Sequence, residues 1–140
     1  MDKDRIYNIV KQFGAKKEKD YISIEFPIAL HLWECLLEFR IYEYEDHYEV
    51  CLDGDVFYRH NNNPNYYLDI FFKVRPEYKY LNIYLKNVKS AYYIDGRLEY
   101  IPQDAITASF PNNCNPNMAL NDMIKFMIAL DDYLYENNLW

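Results

Sequence analysis

From Arg40 onward the chain changes its hydrophobic period to two and keeps that spacing for about sixty residues. Such alternation demands a sheet, because successive side chains of a strand point to opposite faces. Strand patterns fall at 40–44, 47–52, 55–59, 67–74, 80–86, 90–94 and 97–101, separated by turn chemistry such as HNNNPN and RPEYK. In YLDIFFKV, Leu68, Ile70, Phe72 and Val74 share one side, and in YLNIYLKNV Leu81, Ile83 and Leu85 do the same. One apolar side and one mixed side predict an antiparallel sheet of five to seven strands, covered on one face only.

The cover is supplied by the ends of the chain. Near the C-terminus, Asn115 or Asn117 is placed to cap a helix entered through Pro116, with Leu120, Met123, Ile124, Met127, Leu130 and Leu134 as its buried stripe. At the other end Ile6, Ile9, Val10 and Phe13 recur at helical spacing, with Asp2 and Asp4 in the first turn and Gly14 just past the end. After it, YISIEF alternates as a short strand. Pro27 then precedes IALHLWECLLEF, apolar nearly all round; its length and its Ala and Leu content favour a buried helix over 28–39, with a strand as the alternative. The expected fold is therefore α+β, a single domain over residues 1–140 without linker, repeat or low-complexity tract.

Two Asp-Gly pairs, Asp53-Gly54 and Asp95-Gly96, punctuate the strand region. If each is the centre of a two-residue hairpin, residues facing each other have numbers of constant sum. The second pairs Tyr93 with Leu98, Ala91 with Tyr100, Tyr92 with Glu99 and Ile94 with Arg97; the first pairs Val50 with Phe57 and Cys51 with Val56. Calcium loops need several oxygen ligands at alternating positions and a terminal bidentate Glu, which neither stretch offers, so both are read as turns.

Charge is distributed unevenly. Residues 21–60 hold two basic and nine acidic side chains, a balance of −7 that equals the net charge of the whole chain. Glu43, Glu45, Asp46, Glu49, Asp53 and Asp55 follow one another with no Lys or Arg among them, and Tyr44 and Tyr48 lie inside the same block. These eight residues are the expected partner-binding surface, directed at a basic protein, a nuclease or another nucleic-acid enzyme being one such class. The bland alternative is a set of solvated strand faces that keep a tyrosine-rich chain soluble.

Catalytic and cofactor signatures are not found: the chain has no GxSxG elbow, no GxxxxGK loop and no GxGxxG, and three glycines leave little material for a phosphate cradle. No cofactor and no metal are expected. The first hairpin would set His47 opposite His60 with Glu49 nearby, but exposed, unliganded histidines are the preferred reading. His31 with Glu34 and Cys35 reads as a core histidine bonded to backbone. Cys35, Cys51 and Cys114 lack CxxC spacing and are read as reduced. Tyr67, Asp69, Phe71 and Lys73, with Tyr80, Asn82, Tyr84 and Lys86, interleave rings and bases as single-stranded RNA platforms do. The glycines and net positive field of such platforms are lacking, so direct nucleic-acid binding is not expected. No segment approaches the ~20 apolar residues of a membrane span, and MDKDRIYNIVKQF lacks the apolar block of a secretion signal, which predicts a cytoplasmic protein without a membrane partner.

In size, acidity and Tyr/Asn-rich, Gly-poor composition, the profile resembles that of small cytosolic inhibitors of bacteria and phages: toxin immunity proteins, antitoxins and anti-CRISPR proteins. The likeness is one of profile and carries no residue across. It implies a non-enzymatic protein that blocks another macromolecule through an acidic, Tyr-bearing surface. The competing expectation is a small-ligand-binding or enzymatic domain with an aromatic pocket between sheet and helix.

Overall fold

Among the described residues, six antiparallel strands form one sheet in the order β1-β2-β3-β4-β6-β5. The structure, a computed structural model, describes residues 4–31, 33–54 and 64–139, and of residues 33–35 and 92 the backbone alone. Helix α1 (Arg5–Val10) ends in a 3₁₀ turn, Lys11–Phe13, and β1 (Lys16–Lys17), β2 (Ile22–Leu30), β3 (Trp33–Glu43) and β4 (His47–Leu52) follow. Next come α2 (Pro64–Val74), a 3₁₀ helix at Pro76–Leu81, β5 (Tyr84–Ile94), β6 (Arg97–Pro111) and α3 (Pro116–Glu136). The α+β class, the antiparallel sheet and the two terminal helices are those expected from the chain's periodicity.

One face of the sheet carries the core. Ile22 and Ile24 of β2, Phe39 and Ile41 of β3, Tyr48, Val50 and Leu52 of β4, and Ile106 and Ala108 of β6 are buried in the same cluster as Ile6 and Val10 of α1. Helix α3 closes this layer with Leu120, Met123, Phe126, Met127, Leu130 and Leu134. Asn115 caps it, its side chain accepting the N–H of Asn117, and Pro116 occupies the first turn, where its missing donor is no loss. Ile124 of the expected stripe is only half-buried, and Phe126 takes the deeper position. Full burial of one Leu or Phe contributes about 1.5–3 kcal/mol, so this layer dominates the stability of the fold.

Four expectations are corrected. Residues 28–39 are not helix: β2 and β3 pair with Ala29 opposite Leu36 and Leu30 opposite Trp33, and the chain reverses at His31. Pro27 is tolerated because the β2–β3 ladder is irregular between Phe26 and Ala29, where no regular hydrogen bond is forfeited. Residues 67–74 belong to α2, entered through Pro64, and not to a strand. Leu68, Ile70, Phe72 and Val74 alternate, but Leu68 with Phe71 and Phe72 also satisfies the helical spacing, and Phe71 packs against Phe126 at 5.5 Å between ring centres. Residues 80–86 are divided between the 3₁₀ helix and β5 by Asn82, which adopts a left-handed conformation.

The fourth correction concerns Asp53-Gly54. Val50, expected to face Phe57, pairs with Ile41 on one side and Ala108 on the other, so both edges of β4 are taken there. The strand expected at 55–59 lies outside the described residues. The Asp95-Gly96 hairpin, in contrast, has the expected register throughout, from Ile94 opposite Arg97 to Ala91 opposite Tyr100, with positive φ at both turn residues.

Candidate functional site

The hairpin of β3 and β4 carries most of the acidic block, and the pairing of its strands decides which carboxylates are available. The N–H of Tyr44 donates to the carbonyl of His47, which leaves Glu45 and Asp46 as the two residues at the apex. Both are exposed, and the Asp46 side chain keeps 88% of its area in solvent. Asn112 donates to the backbone carbonyl of Glu45 at 2.7 Å and pins the tip from the β6–α3 connection. Behind the apex the Tyr44 ring stacks on His47 at 4.7 Å, and His47 Nδ1 lies 2.6 Å from Asp46 Oδ1, a contact that holds the Asp46 carboxyl below its ordinary range. Glu43 is exposed on the side of α1; partial burial pushes its carboxyl up, against the pull of Lys17.

Alternation sends the next members of the block elsewhere. Glu49 points to the face of the sheet away from the helices and is largely buried there, with Lys86 Nζ at 2.6 Å and the Tyr84 hydroxyl donating to its other oxygen. Asp53 pairs with Arg40 at 3.0 Å, and burial raises its carboxyl despite that cation. Tyr48 points the opposite way into the core, fully buried, its hydroxyl donating to the carbonyl of Cys114. Tyr48 therefore presents nothing to a partner, and Glu49 and Asp53 are neutralised within the fold. Asp55 lies outside the described residues. Of the eight expected positions, the tip gathers Glu43, Tyr44, Glu45 and Asp46.

The face away from the helices also carries a ladder of rings and cations. Arg40 lies over the Tyr21 ring at 4.5 Å, Tyr21 meets Tyr42 at 5.7 Å, and Lys86 sits over Tyr42 at 4.1 Å while donating to the Tyr44 hydroxyl at 2.8 Å. Beneath it Cys51, Val88 and Ala105 form a small second cluster of strand residues, with Tyr42 packed against it. Tyr21 and Tyr42 were not among the expected site residues, although their place beside Arg40 follows from the parity of β2 and β3. Tyr67, Asp69, Phe71 and Lys73 do not reach this face, since they ride on α2; of the expected platform Tyr84 and Lys86 alone are on the sheet.

The histidine clusters also differ from expectation. His47 stacks with Tyr44 as described, and His60 lies outside the described residues. His31 is not a core residue of a helix but sits half-exposed at the β2–β3 reversal, where its backbone N–H and its Nδ1 both reach Asp131 Oδ2, at 2.9 and 3.0 Å. Asp132 Oδ1 is 3.8 Å from the same nitrogen, and Tyr135 stacks on the imidazole at 4.1 Å. The three ligand-type side chains lie within 4.8 Å of one another, and their hydrogen bonds fasten the reversal to α3. A shallow concavity of about 450 Å³ runs along α3 beside Arg75, Tyr78, Lys125 and Asp132.

Comparison with protein-family models, with curated proteins and with solved structures gives no match to this chain. No helix among the described residues is long and apolar enough to cross a membrane.

Proposed function

We propose that this chain is a non-enzymatic, cytoplasmic binding protein that blocks another macromolecule by docking the acidic tip of β3–β4 on a basic surface. The observation that carries this reading is the apex itself: Glu45 and Asp46 stand exposed at the end of a hairpin whose ring and backbone partners hold it still. A fixed tip loses little entropy on binding, and carboxylates displayed together fit a cleft built for phosphates. Tyr44, 40% exposed, adds ring area with few rotors. The partner class this favours is a nuclease or other nucleic-acid enzyme. The competing pocket between sheet and helix finds that space filled, since Phe39, Tyr48, Phe71, Met123, Phe126 and Met127 occupy it with almost no exposure.

The test is a paired capture experiment. Tagged wild-type chain and a Glu43/Glu45/Asp46→Lys variant are presented to lysate of the native host, and bound proteins are quantified by mass spectrometry. A basic protein retained by the wild type and lost with the variant supports the proposal; equal retention by both would remove the tip from the mechanism.

A further inference from the structure

Three ligand-type side chains from distant parts of the chain converge where the β2–β3 reversal meets α3. Asp131 and Asp132 are consecutive on a helix and so point roughly 100° apart, which by itself makes no shared site. His31 sits astride the gap. Its Nδ1 is 3.0 Å from Asp131 Oδ2 and 3.8 Å from Asp132 Oδ1, and the three ligand atoms all lie within 4.8 Å of one another. Bonds of about 2.0–2.2 Å to one ion set two donors roughly 3.0 Å apart at a right angle and roughly 3.4 Å apart at the tetrahedral angle. The contact between His31 and Asp131 already has the first spacing, and a small rotation of the half-exposed Asp132 side chain reaches the second.

We propose that His31 Nδ1, Asp131 and Asp132 bind one Zn²⁺ ion, with water completing its coordination, and that the ion clamps the β2–β3 reversal to α3. The site uses none of the residues of the docking tip and goes beyond that function. One imidazole nitrogen and two carboxylates are donors that zinc accepts, and their two negative charges match a divalent ion. The helix adds to the attraction. Asp131 and Asp132 stand one turn from the C-terminal end of α3, where the macrodipole favours a cation, and the last turn supplies no basic side chain.

Contacts that ion binding leaves intact hold the ligands in place beforehand. The backbone N–H of His31 donates to Asp131 Oδ2 at 2.9 Å, and since each carboxylate oxygen has two lone pairs, that bond and an ion are compatible. The Asp131 side chain is almost fully buried, so little freedom is lost when the ion arrives. Tyr135 stacks on the imidazole at 4.1 Å and sets the plane of the ring. His31 and Asp132 are both half-exposed, which gives the ion a path from solvent. On binding, the ion takes the position between Nδ1 and the carboxylates, and the neutral imidazole carries its proton on Nε2.

Calorimetric titration of the full chain with zinc chloride at about pH 7.5, where the imidazole is neutral, tests this. Wild type is expected to bind one equivalent with micromolar affinity and to melt at a higher temperature in zinc than in EDTA. His31→Gln keeps the backbone bond to Asp131, and Asp132→Ala alters a half-exposed group, so each is expected to fold as wild type without metal. Since loss of an outer-shell partner alone costs about 10–100-fold, loss of a ligand is expected to weaken zinc binding at least about 10-fold. The Co²⁺ complex is expected to show visible d–d bands without the thiolate charge-transfer band that cysteine ligation would give. Should one variant fail to fold, the other decides. Absence of stoichiometric zinc binding by wild type, undiminished binding by either folded variant, or binding lost with His47→Ala instead would overturn the proposal.

Discussion

Lys86 Nζ lies 2.6 Å from Glu49 Oε1 and 4.1 Å from the centre of the Tyr42 ring, so one ammonium on β5 reaches across β6 to tie down β4 and β3. The crossing is possible because β6 offers only Ala105 opposite Lys86, a side chain too small to stand in the way. The pair is mostly withdrawn from water, with side-chain exposures of 25% for Lys86 and 10% for Glu49.

Removing the Glu49 charge should therefore weaken the fold measurably. Burial by itself would raise the Glu49 carboxyl, but hydrogen bonds from Lys86, Tyr84 and Tyr44 outweigh it and hold the group below its ordinary value of 4.5. A depressed folded value means that the pair stabilises fully above the unfolded carboxyl range and loses that contribution as pH falls through the folded value. Glu49→Gln is expected to lower stability by about 1–3 kcal/mol at pH 7 in urea denaturation. The gap between the two proteins should close on acidification below 4.5.

Gly96 stands at φ +78 with nothing within 4 Å of the position a Cβ would take, so a side chain there is resisted by backbone conformation alone. Gly96→Val should cost about 1–3 kcal/mol in the same denaturation assay, with the slope of the transition unchanged.

The difference between the two Asp-Gly pairs shows what the sequence could reveal. Asp95-Gly96 was readable because its hairpin is local: the register follows from counting outward from the turn. Asp53-Gly54 was not, because the strand before it is claimed on both sides by β3 and β6, and the β6 partner lies more than fifty residues away. Residues 67–74 satisfy both periods, and tertiary contact with Phe126 of α3 decided for the helix. Residues 28–39 were apolar on both sides, so periodicity could not separate a buried helix from a central strand. At the site, parity along β4 was enough to separate Tyr48 from Glu49 once the strand was recognised, but the cation that neutralises Glu49 arrives from β5 and carries no local signal.

Burial pushes the Cys51 thiol up to about 11, against the hydrogen bond from Thr107, and only 1% of the residue is exposed. In the native protein near pH 8, iodoacetamide should modify Cys51 no faster than the chain opens, while half-buried Cys114 reacts sooner. Peptide mapping over time reads both rates. Comparable rates at the two sites would place Cys51 in solvent.

Asp131 and Asp132 are neighbours with opposite expectations. The Asp131 side chain is 3% exposed and receives the His31 backbone N–H, whereas Asp132 is 52% exposed and stands 3.8 Å from the imidazole. Asp131→Ala should lower stability by about 1–3 kcal/mol by removing the buried acceptor that ties the His31 backbone N–H to α3, and Asp132→Ala should stay within about 0.5 kcal/mol of wild type.

The central claim is that the β3–β4 tip docks on a basic surface, and calorimetric titration of the captured partner tests it most directly. Wild type and Glu43/Glu45/Asp46→Lys are compared at two salt concentrations, with equal thermal stability confirming that the exposed substitutions leave the fold intact. The expected result is an affinity at least about 100-fold lower for the variant, and wild-type binding that weakens as salt rises. A folded variant that binds as tightly as wild type, or wild-type affinity indifferent to salt, would contradict the account.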